Sequence, residues 1–216
     1  MITLPLQRIE LLKGNTYRVV LENTGLEYQA GQYLEIFLPN TEPRPFSIAN
    51  KPDHQIELHI RCLPDSPYSI YLIETLKKQG ELHIQGPFGH CIYHHYPEYP
   101  AILIAGGTGF APMKAIIEQA LSDGLRNPMH LYWRARTETD LYLNELPTEW
   151  TAQYPDFHYT PLFGKKPQLH TAVLTDYPNL SGHHVYASGP FDMVHNVFNA
   201  LKNHGLDTEL MYSDAL

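Results

Sequence analysis

The sequence predicts two units in series: a closed antiparallel barrel of six short strands, then a doubly wound parallel sheet with helices on both faces. Three observations carry this. Six short segments between residues 4 and 85 are rich in β-branched and aromatic residues or alternate apolar with polar, and Gly, Asn and Pro punctuate them. Beyond residue 101 the rhythm changes to apolar runs alternating with helical stripes. At the start of that second rhythm, Ile102-Leu103-Ile104-Ala105 runs into Gly106-Gly107-Thr108-Gly109 and then a helix.

Taken in order, strands are expected at residues 4–12, 17–21, 33–38, 46–49, 56–61 and 81–85. Lys13-Gly14-Asn15, Glu27 to Gly31, Pro39-Asn40 and Lys51-Pro52-Asp53 separate them, a spacing that fits a closed barrel. Residues 68–78 place Ile70, Ile73 and Leu76 on one face of a short helix at the barrel rim. Residues 90–100 have no clean period and mark the boundary between a first domain, 1–97, and a second, 98–216. There, strands at 102–105, 129–133, 157–161, 183–187 and 209–212 alternate with helices at 110–122, 139–146, 169–174 and 190–204. The first of these strands has no polar face, as expected of a parallel strand buried on both sides. In the last helix Pro190 suits the first turn, Asp192 complements the dipole, and Val194, Val197 and Leu201 lie on the core stripe before Gly205.

Composition narrows the function. The 216 residues carry a net charge of −8, which argues against nucleic-acid or anionic-membrane partners. No window approaches the apolar length of a membrane span, and residues 1–12 lack a secretory pattern, so the expected location is the cytoplasm. Cys62 and Cys91 alone are too few for an iron–sulfur cluster, so any such centre belongs to a partner. Both are expected to be buried small side chains. The histidines His90, His94 and His95, and the pair His183-His184, lack ligand spacing with a carboxylate, and no metal site is expected.

Three stretches can carry chemistry. Gly106-Gly107-Thr108-Gly109 puts bare backbone at a helix amino terminus, which suits a phosphate and lets a flat ligand approach, although a glycine-rich turn of any α/β domain reads the same way. Arg44-Pro45-Phe46-Ser47 puts a cation, an aromatic ring and a hydroxyl on one strand, either a clamp for a planar phosphorylated ring or an edge strand with a surface arginine. Trp133-Arg134-Ala135-Arg136 follows a strand where a ribose or its 2′-phosphate would lie, and reads equally as a salt-bridged loop beside Glu138 and Asp140.

Four motifs in order resemble the ferredoxin–NADP reductase superfamily. Arg44-Pro45-Phe46-Ser47 is similar to its Arg-x-Tyr/Phe-Ser flavin motif, and Gly86-Pro87-Phe88-Gly89 to its Gly-Pro-x-Gly turn. Gly106 to Gly109 with Ala111-Pro112 is similar to its nicotinamide loop, and Ser188-Gly189-Pro190-Phe191-Asp192-Met193 to its Cys-Gly-Pro-x-x-Met. The resemblance spans nearly the whole chain. It implies a Greek-key flavin barrel and an NAD(P) domain whose ligands meet in the cleft between them. By the same resemblance Ser47 lies near flavin N5 and Arg44 holds a phosphate or the ribityl side. His59, Ile60 and Arg61 line the ring, Ser69 matches the serine of the pyrophosphate loop, and Gly106, Gly107, Thr108, Gly109, Gly189 and Pro190 face the nicotinamide nucleotide. Arg134 and Arg136 would take its ribose end, whether NADH or NADPH. Ser47 and Ser188 are the two candidate catalytic positions.

Departures from the family pattern shape the expectation. Ser188 replaces the cysteine by the nicotinamide, and Ser66-Pro67-Tyr68-Ser69 has lost the glycine of the pyrophosphate loop. Asp214-Ala215-Leu216 carries no terminal tyrosine over the flavin, with Asp214 counted among the cofactor-binding residues. These features resemble the small NAD(P)H:flavin reductases, which imply reduction of free FMN, FAD or riboflavin. The alternatives are an FAD-containing component feeding an iron–sulfur or oxygenase partner, and a non-catalytic redox sensor.

Overall fold

The computed structural model describes residues 1–94 and 99–216. The first half is a six-stranded antiparallel sheet of β1 (Ile2–Leu11), β2 (Thr16–Glu22), β3 (Tyr33–Phe37), β4 (Arg44–Ser47), β5 (Gln55–Arg61) and β6 (Glu81–Phe88), in the order β4-β3-β6-β1-β2-β5. It closes where Ile48 bridges Leu58 and the Ala49 N–H donates to Glu57 O at 2.7 Å. This contact, just beyond β4, joins the two ends of the sheet, and Leu4, Leu21, Leu34, Ile48, Leu58 and Ile84 fill the interior. Helix α1 (Pro67–Gln79) plugs one end with Leu72, Ile73 and Leu76, and Gly80 ends it in the left-handed conformation.

The second half is a parallel sheet of β7 (Ala101–Gly106), β8 (Met129–Ala135), β9 (Phe157–Phe163), β10 (His184–Ser188) and β11 (Met211–Tyr212), in the order β11-β10-β7-β8-β9. Leu103 and Ala105 pack with α2 (Phe110–Ser122) and with Trp150 of α3 (Glu145–Gln153). Ile102 and Ile104 pack on the other face with α4 (Leu169–Asp176) and α5 (Phe191–Lys202). That two-sided burial is what an unbroken apolar strand requires. Strand order reverses between β7 and β10, so their carboxyl ends frame the crevice where α/β sheets bind ligands.

Three expectations need correction. In place of a helix at 139–146, a 3-10 turn at Glu138–Asp140 is followed by α3 from Glu145. Asp140 is spent on a capping box with Thr137, and Pro147 sits in the first turn of the helix that begins at 145, where its missing N–H leaves no hydrogen bond unmade. The last strand begins at Met211 because Asp207 caps a 3-10 turn at Thr208–Leu210. Cys91 is buried, but Cys62 is partly exposed, its thiol donating to Ser69 O. The division at 97/98 and His95 lie outside the described residues. Among the described residues no helix is long and apolar enough to cross a membrane.

Candidate functional site

The two halves meet at a cleft of ≈ 380 Å³. Pro45, Phe46 and Ser47 of β4, His59 and Arg61 of β5, and Ser69 of α1 supply one wall; Gly106, Gly107, Thr108 and Gly109 with Ser188, Gly189 and Pro190 supply the other. Most of the residues singled out from the sequence thus line one space, although they come from five separate segments of the chain.

The glycines explain how that wall can be built. Gly107 has φ +56°, a left-handed conformation, and a Cβ there would project toward Arg61 with no nearer neighbour. A side chain at 107 would therefore occupy the cleft itself, whereas bare backbone leaves room for a flat ligand. Trp133 fixes the turn from behind: its indole N–H donates to Gly107 O at 2.9 Å, and its ring stacks on Phe110 at 3.9 Å between centroids. Gly106 lies against Met193 and Pro190, so the β10–α5 loop sits directly on the β7–α2 turn.

Arg61 spans two spaces. Its guanidinium pairs with Asp140 at 2.5 Å, while its Nε is buried without a hydrogen-bond partner among the described residues. It also lines a cavity of ≈ 540 Å³ with Arg134, Arg136, Gln168 and Met193. The two arginines there differ in kind. Arg134 donates to Lys166 O at 3.1 Å and Pro167 O at 2.7 Å, so it builds the cavity wall by holding the loop after β9. The Arg136 side chain is exposed.

A third space of ≈ 250 Å³ brings Ser47 and Ser188 together with Asp214, Cys91 and Tyr33. Asp214 Oδ1 accepts the backbone N–H of His90 at 2.6 Å and of Cys91 at 3.2 Å, tying the carboxyl-terminal segment to the loop after β6. Burial, with the Asp214 carboxylate nearby, pushes the Cys91 thiol well above its ordinary range, so it stays protonated. Arg44 lines none of these spaces. It is exposed, with its guanidinium 5.1 Å from the Tyr68 ring centroid, and Tyr68 in turn stacks on Phe46. Ile60 points into the barrel core, so of the three β5 residues only Arg61 brings a charged side chain to the cleft.

His59 belongs to a buried polar network that the sequence reading missed. Its Nε2 lies 2.8 Å from Glu57 Oε1 and its Nδ1 2.9 Å from Tyr142 Oη. Glu57 Oε2 accepts from Arg18 at 2.8 Å, and Oε1 lies 3.2 Å from Lys114 Nζ. Burial alone would raise the Glu57 carboxyl, but the His59 hydrogen bond and the Lys114 and Arg18 charges outweigh it and hold it well below the usual range. Burial lowers His59. An ionised Glu57 only accepts, so neutral His59 carries its proton on Nε2 and takes the Tyr142 O–H at Nδ1. Glu57 and His59 occupy the polar positions of an alternating strand, which ordinarily face water. Lys114, four residues after Phe110, interrupts an apolar helix face, and that was the available signal.

A profile of the oxidoreductase FAD-binding domain matches residues 4–93, and one of the oxidoreductase NAD-binding domain matches residues 103–198. The chain is 34% identical over 200 residues to the CDP-6-deoxy-L-threo-D-glycero-4-hexulose-3-dehydrase reductase of Yersinia pestis, spanning 88% of this chain but only 60% of that protein. It is 30% identical over 224 residues to the NAD(P)H-flavin reductase of Vibrio harveyi, covering 96% of this chain and 94% of that one. The Amycolatopsis cytochrome P450 reductase superimposes with a TM-score of 0.87 at 27% identity, over 97% of this chain and 68% of the other. With both profiles falling on the two halves that form the cleft, the chain belongs to the ferredoxin–NADP reductase superfamily, alongside the NAD(P)H-flavin reductases.

Proposed function

We propose that this protein is an NAD(P)H-dependent flavin oxidoreductase that reduces free FMN, FAD or riboflavin by hydride transfer from nicotinamide C4 to flavin N5. The supporting observation is the single cleft in which the flavin-motif strand faces the two nicotinamide-motif loops. The residues fit both groups. Gly107 leaves space that a Cβ would fill, and the orphaned Arg61 Nε is a donor for a ribityl or phosphate oxygen. When bound, the two rings supply the redox chemistry; the protein aligns them and keeps competing geometries out. Ser47 offers its hydroxyl from the flavin side, Ser188 from the nicotinamide side, and Asp214 holds the loop that closes the space behind them. We assign residues 1–97 to the flavin half and 98–216 to the nucleotide half. A reductase fed by nicotinamide nucleotide works where that pool is kept, and the cytoplasm is the proposed location.

A second reading draws on the relatives that are named as reductase components, among them that of terephthalate 1,2-dioxygenase from Comamonas, at 31% identity over 199 residues. In it, firmly held FAD passes electrons to an oxygenase or iron–sulfur partner. The visible spectrum of extensively desalted protein separates the two. A colourless protein that oxidises NAD(P)H only with added flavin supports flavin as substrate. Retained flavin bands with dependence on a protein acceptor favour the component, and no transfer to any flavin leaves the redox sensor.

Two substitutions test the assignments. Ser47→Ala is expected to lower kcat roughly 2- to 12-fold, the worth of one hydrogen bond, with the KM for nucleotide unchanged. Arg136→Ala is expected to weaken NADPH by about 1.5–3 kcal/mol, one charge-assisted contact, and leave NADH untouched. Steady-state kinetics with both nucleotides read each outcome, and unchanged values for both variants would remove these roles.

A further inference from the structure

We propose that Lys114 and Glu57 form a buried pin that sets the spacing between the flavin-side strand and the nicotinamide-side helix, making Lys114 a positioning residue for hydride transfer. The kinetic part rests on the function proposed above.

The Lys114 ammonium, with its side chain 4 % exposed, has three N–H donors and three oxygens around it. These are Ala49 O at 2.9 Å, Glu118 Oε1 at 2.7 Å and Glu57 Oε1 at 3.2 Å. Two of the three belong to the barrel. A buried ammonium is costly to strand without partners, so the helix that carries it is tethered to the strands that satisfy it. An apolar residue at this helix position would pack without choosing a partner atom; the lysine specifies one.

The position of the pin gives it consequence. Lys114 lies on α2 one turn beyond Phe110, where the glycine turn of the cleft ends. Ala49 lies two residues beyond Ser47. Its N–H binds Glu57 O, and Lys51 N–H binds Glu118 Oε2 at 3.2 Å, so the chain leaving Ser47 is held from both β5 and α2. Three backbone groups within five residues of Ser47 (Ala49 O, Ala49 N–H and Lys51 N–H) thus answer to one helix and one strand. Arg61–Asp140 and His59–Tyr142 add two more links across the same boundary. Between these links the cleft has a fixed width, set before either ring enters.

Lys114→Met tests this because it keeps the stem and removes the charge. In differential scanning calorimetry without ligands, the wild type is expected to unfold in one transition and the variant in two, as the halves uncouple. In kinetics, kcat is expected to fall roughly 10- to 100-fold with both KM values retained. The isotope effect with 4-deuterated nucleotide should rise, and Lys114→Arg should restore both readouts. A folded Lys114→Met protein with a single transition and wild-type kcat overturns the proposal. Should that variant fail to fold, Glu57→Gln with Lys114→Met removes both charges together; it must then show the same loss of kcat with flavin affinity, read by fluorescence quenching, unchanged. Wild-type kcat in the double variant overturns the pin as well. A wild-type protein that reduces no flavin would overturn the proposed function, and the calorimetry would still decide the pin.

Discussion

Gly109→Ala is expected to destabilise the protein by about 3 kcal/mol and to abolish nucleotide binding. The reason is space rather than conformation. Gly109 has φ −58° and ψ −9°, which any residue adopts, so alanine meets no backbone penalty there. Its Cβ, however, would overlap the carbonyl of Ser188 and lie 2.8 Å from Gly189 N. These are backbone atoms at the carboxyl end of β10, and no rotamer change moves them. The only relief is to part the β10–α5 loop from the β7–α2 turn, which opens the crevice that the two loops form together. Gly107→Ala makes the contrast. It suffers the left-handed φ, about 1 kcal/mol, but finds open space, so it should fold and lose affinity only by intruding on the cleft. Urea denaturation with nucleotide titration of both variants checks this, and wild-type stability in Gly109→Ala would show that the two loops are not in fixed contact.

Much of this arrangement was legible in the sequence because it depends on short-range rules. The unbroken apolar run of β7 required cover on both faces, and it is buried on both. The glycine turn and the helix stripe from Phe110 to Leu121 followed from spacing, and α2 has the predicted bounds. What could not be read was what covers the outer face of the barrel. Ile56-Glu57-Leu58-His59-Ile60 alternates as a strand with one wet face, and local pattern gives no reason to dry it. It is dry because α2 and Tyr142, from more than fifty residues away, close over it. The same long-range contact gives His59, which lines the cleft, two hydrogen-bond partners that local pattern does not predict. The two arginines at the carboxyl end of β8, Arg134 within it and Arg136 just past it, likewise looked equivalent until the loop beyond β9 claimed Arg134.

The network makes a second large effect expected: Glu57→Ala should lose about 3 kcal/mol at pH 7.5, because buried Lys114, though it keeps Glu118, and partly exposed Arg18 would both lose the carboxylate they share. The dependence on pH identifies the cause. Glu57 is held below its ordinary 4.5 in the fold, so the unfolded chain binds the proton first, and the stability it contributes is present above pH 4.5 and lost as pH falls further. His59 and His130 are also lowered, both chiefly by burial, His130 to about 4. Here too the unfolded chain, at an ordinary 6.5, takes up protons first. Stability therefore declines as pH drops from 6.5, by at most about 1.4 kcal/mol per pH unit for each such histidine. Glu57→Ala keeps His130 but has no carboxylate to titrate. Its His59, without the Glu57 hydrogen bond and charge that favour the imidazolium, is lowered further, while the part of the deficit due to the Glu57 charge should narrow as pH falls through 4.5 and the wild-type carboxylate loses its advantage. Urea unfolding of both proteins at pH 7.5, 5 and 4 measures the gap. A gap that stays constant into acid would mean that Glu57 acts through packing alone, and that charge does not hold the two halves together.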